Sequence, residues 1–207
     1  MFGSLAGIDL VLVFVSLVIA IVVHEMMHGV VAFWLGDDTA AEAGRLTLNP
    51  LKSIDPVATI ILPLIVLKLT GLPIFAAKPV PFNPNRVKWE EYGVALVGLA
   101  GPATNLVLAL IGAGLYHVTG DGTLLQNFAY YFTAINIGIM VFNLIPFPPL
   151  DGSRVLYAFA PEPVQEIMER IEAMGFIVVL LIILVLFQFI APVIQGINSD
   201  ILRLLIG

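Results

Sequence analysis

Cysteine is absent from all 207 residues, which excludes disulfide scaffolds, thiolate metal sites and cysteine nucleophiles. Charge is scarce: Asp, Glu, Lys and Arg make up 12% of the chain, against about 25% in an average soluble domain. The nine bases form no stripe and the net charge is −6, so nucleic acid is set aside as a partner. Histidine occurs only three times. What fills the chain instead is apolar: 59% of residues, with a mean hydropathy of +1.02. That composition argues for an integral membrane protein in a lipid bilayer, and against a soluble enzyme or a disordered tail.

Residues 10–35 form the first apolar run, long enough for the ~20 residues that a bilayer core requires. A secretory signal would carry a basic start, whereas the first base here is Arg45, so the run reads as a transmembrane helix. Residues 36–56 are polar and rich in breakers. Residues 57–67 are apolar but short and contain Pro63. Residues 72–86 hold four prolines and read as extended. Runs 92–118, 127–145 and 174–194 each suffice to cross, separated by a turn at 118–126 and a polar helix-forming stretch at 161–173. The tail 195–207 is mildly amphipathic, and 1–207 reads as a single domain without repeats.

The bases decide how the short run 57–67 is read. If it spans, Lys68, Lys78, Arg86, Lys88, Arg154 and Arg170 face Arg45, Lys52 and Arg203 across the membrane, an uninformative split. If it is re-entrant, eight bases share one side and Arg203 stands alone on the other. The positive-inside rule favours the second arrangement, with 36–91 and 146–173 in the cytoplasm. The fold class expected is therefore an all-α polytopic membrane protein. It has four full transmembrane helices, a re-entrant segment, and short membrane-associated strands at 44–49 and 74–82. A strand edge of that kind would capture an unwound peptide by β-addition.

The strongest chemical signal is His24-Glu25-Met26-Met27-His28. Positions i and i+4 share a helix face, so two imidazoles can bind one Zn²⁺ while the intervening glutamate activates water. Core histidines paired with a glutamate are the bland alternative. Inside a membrane each ionisable group costs about 2.5–3.5 kcal/mol on insertion scales, so three together need a compensating interaction, which a metal supplies.

A catalytic zinc takes three protein ligands and keeps one position open. His117 sits at the far end of its span and reads as an interfacial histidine. Asp37 and Asp38 follow the helix end, and Glu90 and Glu91 open the next helix. Asp151 remains, just after Pro146, Pro148 and Pro149. Its bland role would be the N-cap of a helix over 152–159. Topology offers an independent check. His24 lies 11 residues before Leu35, about 16 Å along a helix, in the cytoplasmic half if that helix runs inward. Asp151 follows another inward-running helix, so the two meet at similar depth. The five-crossing alternative separates them.

With HEMMH at 24–28, AGPATN at 100–105 and NLIPFPPLDG at 143–152, the chain resembles the site-2 proteases, intramembrane zinc metalloproteases. KPVPFNP at 78–84 and NPLKSIDP at 49–56 resemble a compact prokaryotic branch without PDZ or CBS domains. The resemblance covers roughly residues 20–195. It implies His24, His28 and Asp151 as ligands of one Zn²⁺ and Glu25 as catalytic base. It also implies that Asn143 holds the substrate near the scissile bond. The implied substrate is a transmembrane helix of another protein, cleaved in a prokaryotic cell membrane with the active site toward the cytoplasm.

Other polar residues have humbler readings. Asn136 either bridges helices or serves the site, and Asn105 reads as packing beside Gly101-Pro102. Met26 and Met27 read as packing residues. Phe128, Tyr130, Tyr131 and Phe132 read as an interfacial belt. Two other function classes compete: a metal-ion or proton transporter, and an inactive protein that retains membrane clients. The first needs polar residues through both leaflets, whereas they cluster in one half. The second has no need of Glu25.

Overall fold

A computed structural model describes residues 7–53 and 80–207. Four helices in it are long and apolar enough to cross a membrane. They are α1 (Gly7–Trp34), α4 (Glu90–Val118), α5 (Leu124–Asn143) and α8 (Phe176–Ile206). Between α1 and α4 lie two single-turn helices, α2 (Thr39–Glu42) and α3 (Pro50–Ser53), and a 3₁₀ turn at Pro84–Arg86. After α5 come the amphipathic helices α6 (Asp151–Phe159) and α7 (Glu162–Ala173).

Helix α4 is central and packs against α1, α5 and α6. Its buried face carries Gly98, Gly101, Asn105, Ala109 and Gly112, a row of mostly small residues three or four apart. In a membrane, where lipid is as apolar as leucine, small residues gain contact by letting backbones approach. At Gly112 an added Cβ would lie 2.6 Å from Thr133 Oγ1, which shows how close α5 comes. Helix α1 offers the matching row Ser16, Ala20 and His24, all buried. Its other sides carry exposed Phe14, Val15 and Ile19, a surface suited to lipid.

The ends of the elements follow local chemistry. Thr123 caps α5 by accepting from Gln126 N at 3.2 Å, after the turn expected at 118–126. Pro146, Pro148 and Pro149 stop α5 from continuing into α6. Beyond α1, buried Asp37 accepts from Thr39 N at 3.1 Å, Thr39 Oγ1 at 2.5 Å and Asn83 N at 2.6 Å. Burial pushes its carboxyl up, but the hydrogen bonds from Thr39 and Asn83 win and hold it below its ordinary value. Lys88 N also donates to Leu35 O at 2.8 Å. Residues 36–53 and 80–89 therefore share the end of the bundle where α1 stops. The reading of 57–67 as re-entrant falls outside the described residues.

Two expectations are corrected. Residues 44–49 form no strand, and none occurs among the described residues. Gly44 turns at φ +62°, and Thr47 Oγ1 and Asn49 Oδ1 bond the amides of Asn49 and Leu51, local bonds that displace a ladder. Residues 80–82 lie unpaired, and Val80 N donates to a glutamate instead of a neighbouring strand; residues 74–79 are not described. The mildly amphipathic tail continues the last helix. Helix α8 runs through Pro192 and on to Ile206, 31 residues or about 46 Å. The hydrocarbon core is about 30 Å thick, so the helix is longer than one crossing needs, and its turns bearing Gln195, Asn198 and Asp200 stay helical. Phe132 also departs from an interfacial role, since it is buried within the bundle.

Candidate metal centre

His24 and His28 lie one turn apart on α1, and Asp151 opens α6 directly opposite. One ligand atom from each falls within a single small cluster. The His24 and His28 Nε2 atoms are 3.1 Å apart, and Asp151 Oδ2 is 3.1 Å from the first and 3.3 Å from the second. Asp151 does not cap its helix; Leu150 occupies the cap position, which leaves the carboxylate free to face the imidazoles.

The hydrogen bonds on the far sides of the rings decide what these atoms can do. His28 Nδ1 lies 2.6 Å from Val97 O, and a carbonyl can only accept. His24 Nδ1 lies 2.6 Å from Asn105 Oδ1. Both rings therefore donate from Nδ1, and in neutral imidazole Nε2 then carries a lone pair. Two lone pairs and a carboxylate oxygen point at one another, and Asp151 Oδ2 is buried with no hydrogen bond. Such a group is repulsive without a cation. Ligand atoms bound tetrahedrally at about 2.0–2.2 Å lie roughly 3.3–3.6 Å apart, a little beyond the separations here. The donor set, two imidazole nitrogens and one carboxylate oxygen, suits Zn²⁺.

Glycines admit this convergence. A Cβ on Gly101 would sit 2.5 Å from His24 Cε1 and 2.5 Å from His28 Nε2. One on Gly98 would meet Asp151 O at 3.0 Å, and one on Gly152 would meet Leu144 O at 2.3 Å. Gly101 thus serves the close approach of α4 to α1, Gly98 that of α4 to α6, and Gly152 that of α6 to the segment after α5.

Glu25 is half-buried beside the pair, and its Oε2 accepts from Val80 N at 3.1 Å, which brings residues 80–82 over the site. Phe82 continues that strap, and the Arg154 guanidinium stacks 4.7 Å from its ring centroid. Asn143 is the last residue of α5, its Nδ2 donating to Ile139 O at 3.0 Å. It adjoins the prolines leading to Asp151 but bonds its own helix. His117 stands apart, 2.7 Å from Leu205 O at the opposite end of the bundle. Asn105 is more than a packing residue, because it holds His24; a polar side chain in an apolar run, with a histidine to satisfy, was the available signal. The Val97 carbonyl carried no signal, since any residue supplies one.

Fold and site together are those of a polytopic membrane protein with a candidate metal centre of two histidines and one aspartate. The description Peptidase family M50 matches residues 117–187. YwhC of Bacillus subtilis is 37% identical over 177 residues, 81% of this chain and 78% of that protein. The chain therefore belongs to the M50 peptidases, the site-2 protease family. Rip2 of Mycolicibacterium smegmatis is 28% identical, covering 84% of this chain and 67% of its own. MJ0611 of Methanocaldococcus jannaschii is 31% identical, covering 70% and 71%. All three relatives carry the name "Putative zinc metalloprotease". No solved structure matches the chain.

Proposed function

We propose that in this intramembrane zinc metalloprotease His24, His28 and Asp151 hold one Zn²⁺, with Glu25 as general base and Asn143 as substrate anchor. The carrying observation is the convergence of three acceptor atoms, one of them the unbonded, buried Asp151 Oδ2. When bound, the ion supplies Lewis acidity toward water and the scissile carbonyl. Glu25 takes the proton from the attacking water and passes it to the leaving amine. Asn143, at the helix end, offers an amide that can both donate to and accept from an extended peptide.

The substrate is a transmembrane helix of another protein, unwound locally to free its carbonyls. The clustering of bases supports placing the metal centre toward the cytoplasm of a prokaryotic cell, and the bilayer as the plasma membrane. Metal analysis and a cleavage assay on one preparation test this. Zinc is lost in the His24→Ala/His28→Ala double variant and in Asp151→Ala. Glu25→Gln keeps zinc and client binding but abolishes cleavage. Wild-type zinc content in the double variant would sink the ligand assignment, and cleavage by Glu25→Gln would sink the base.

A further inference from the structure

Behind His24, three buried groups form a line that crosses from one helix to the next. Asn105 on α4 and Asn136 on α5 are each fully buried. Asn136 Nδ2 donates to Phe132 O at 2.8 Å. Its Oδ1 is thereby turned toward α4, where it accepts from Asn105 Nδ2 at 2.8 Å. The same Asn105 Nδ2 also lies 3.4 Å from Ala20 O on α1. Asn105 is left with one free acceptor, Oδ1, and His24 Nδ1 sits 2.6 Å from it.

The direction of this chain is fixed at its far end. A backbone carbonyl cannot donate, so Phe132 O forces the orientation of Asn136. Asn136 in turn forces that of Asn105. A flipped Asn105 would set its oxygen against both Ala20 O and Asn136 Oδ1. With Oδ1 facing His24, the imidazole carries its proton on Nδ1 and presents a lone pair from Nε2 toward His28 and Asp151. We propose that Asn105 and Asn136 are positioning residues: a directed amide chain across α5, α4 and α1 that fixes the tautomer and orientation of His24.

This inference rests on the reading of His24 as a zinc ligand. The asymmetry with His28 supports it. That ring is held by the Val97 carbonyl, which is part of the backbone of α4 and needs no second group to orient it. A side-chain amide is ambiguous about which atom it presents, and only Asn136 removes the ambiguity. Outer partners of this kind typically contribute 10–100-fold in metal affinity.

Zinc affinity is measured by chelator competition on the full chain in nanodiscs, for wild type, Asn105→Ala, Asn105→Asp and His24→Ala. Asn105→Ala weakens zinc about 10–100-fold. Asn105→Asp weakens it as well, because its second oxygen faces Ala20 O and Asn136 Oδ1 where the wild-type Nδ2 donates. Wild-type affinity in either variant overturns the proposal. Nitrogen-15 spectra of the zinc-free wild-type imidazoles supply a readout that needs no variant to fold. A proton on His24 Nδ1 supports the chain, and an Nδ1 without one refutes it. His24→Ala separates the two levels. If it keeps zinc, the ligand reading fails; if it loses zinc while Asn105→Ala does not, only the amide chain fails.

Discussion

Gly101 is the position at which the metal centre is least able to absorb a change. An alanine there places a methyl 2.5 Å from His28 Nε2 and 2.5 Å from His24 Cε1. Ordinary carbon contacts begin near 3.5 Å, so one or both rings must retreat by about 1 Å. Neither ring is free to do so, because each Nδ1 is tied at 2.6 Å on its far side. Metal sites hold their distances to about 0.2 Å, and overpacking a filled interior costs about 1–3 kcal/mol. Gly101→Ala should therefore lose most of its zinc and, from displacement of the reacting groups, at least ~10²-fold in cleavage rate. Gly114 on the same helix is the control, since an added Cβ meets nothing within 4 Å. Gly114→Ala should retain wild-type zinc and rate. Full zinc occupancy and normal cleavage in Gly101→Ala would refute the reasoning, because the close approach of α4 to the histidines would then be immaterial.

Asn143→Ala should cut cleavage by about 10²–10³-fold, the usual loss for one donor to a developing oxyanion, while zinc stays near one per chain; a wild-type rate would reduce the residue to a helix-end amide. Single cysteines at Thr39, Ser53 and Asn85 should all react only with a reagent that reaches the cytoplasm; labelling Ser53→Cys and Asn85→Cys from opposite faces would overturn the orientation. Asp37 has its carboxyl held below the ordinary value, so its contribution to stability is present above its unfolded value near 3.9 and is lost as pH falls through the lower folded one. Thermal unfolding of wild type against Asp37→Asn should thus differ at neutral pH and draw together as the pH falls, and a gap that does not narrow in acid would sink the assignment.

The sequence was most legible where a long period or a costly group left few solutions. Three spans matched runs of apolar residues because the bilayer fixes their length, and their ends carried turn residues such as Gly120 and Gly122. His24, His28 and Asp151 stood out because ionisable groups at membrane depth demand a reason. The strand at 44–49 misled because extended composition says nothing about a pairing partner, and Thr47 and Asn49 satisfy the backbone locally. Asn105 was underread because its role depends on the α1–α4 approach, a tertiary fact set by Gly101 and Ala20 rather than by its own neighbours. Phe132 lost its interfacial role for the same reason: it faces α4 near Gly112, and that proximity is invisible along one chain segment.

The same amides bear on where water can reach the site. A transport path would need polar groups still able to exchange partners on the far side of His24. Asn105 and Asn136 have their nitrogens committed within the protein, the line closes on a helical carbonyl at Phe132, and the buried Ser16 hydroxyl further along α1, without a hydrogen bond, is a single group rather than a path. Thr133, one residue on, turns its hydroxyl to Ala129 O at 2.8 Å. Primary amides do not carry protons as imidazoles or carboxylates do, so this line orients without conducting. On the near side, by contrast, Glu25 is half-buried under the strap of residues 80–82, and Arg154 stacks over that strap. Hydrolysis needs one water at one face of the metal group. A centre backed by satisfied amides and faced by Glu25 meets that need.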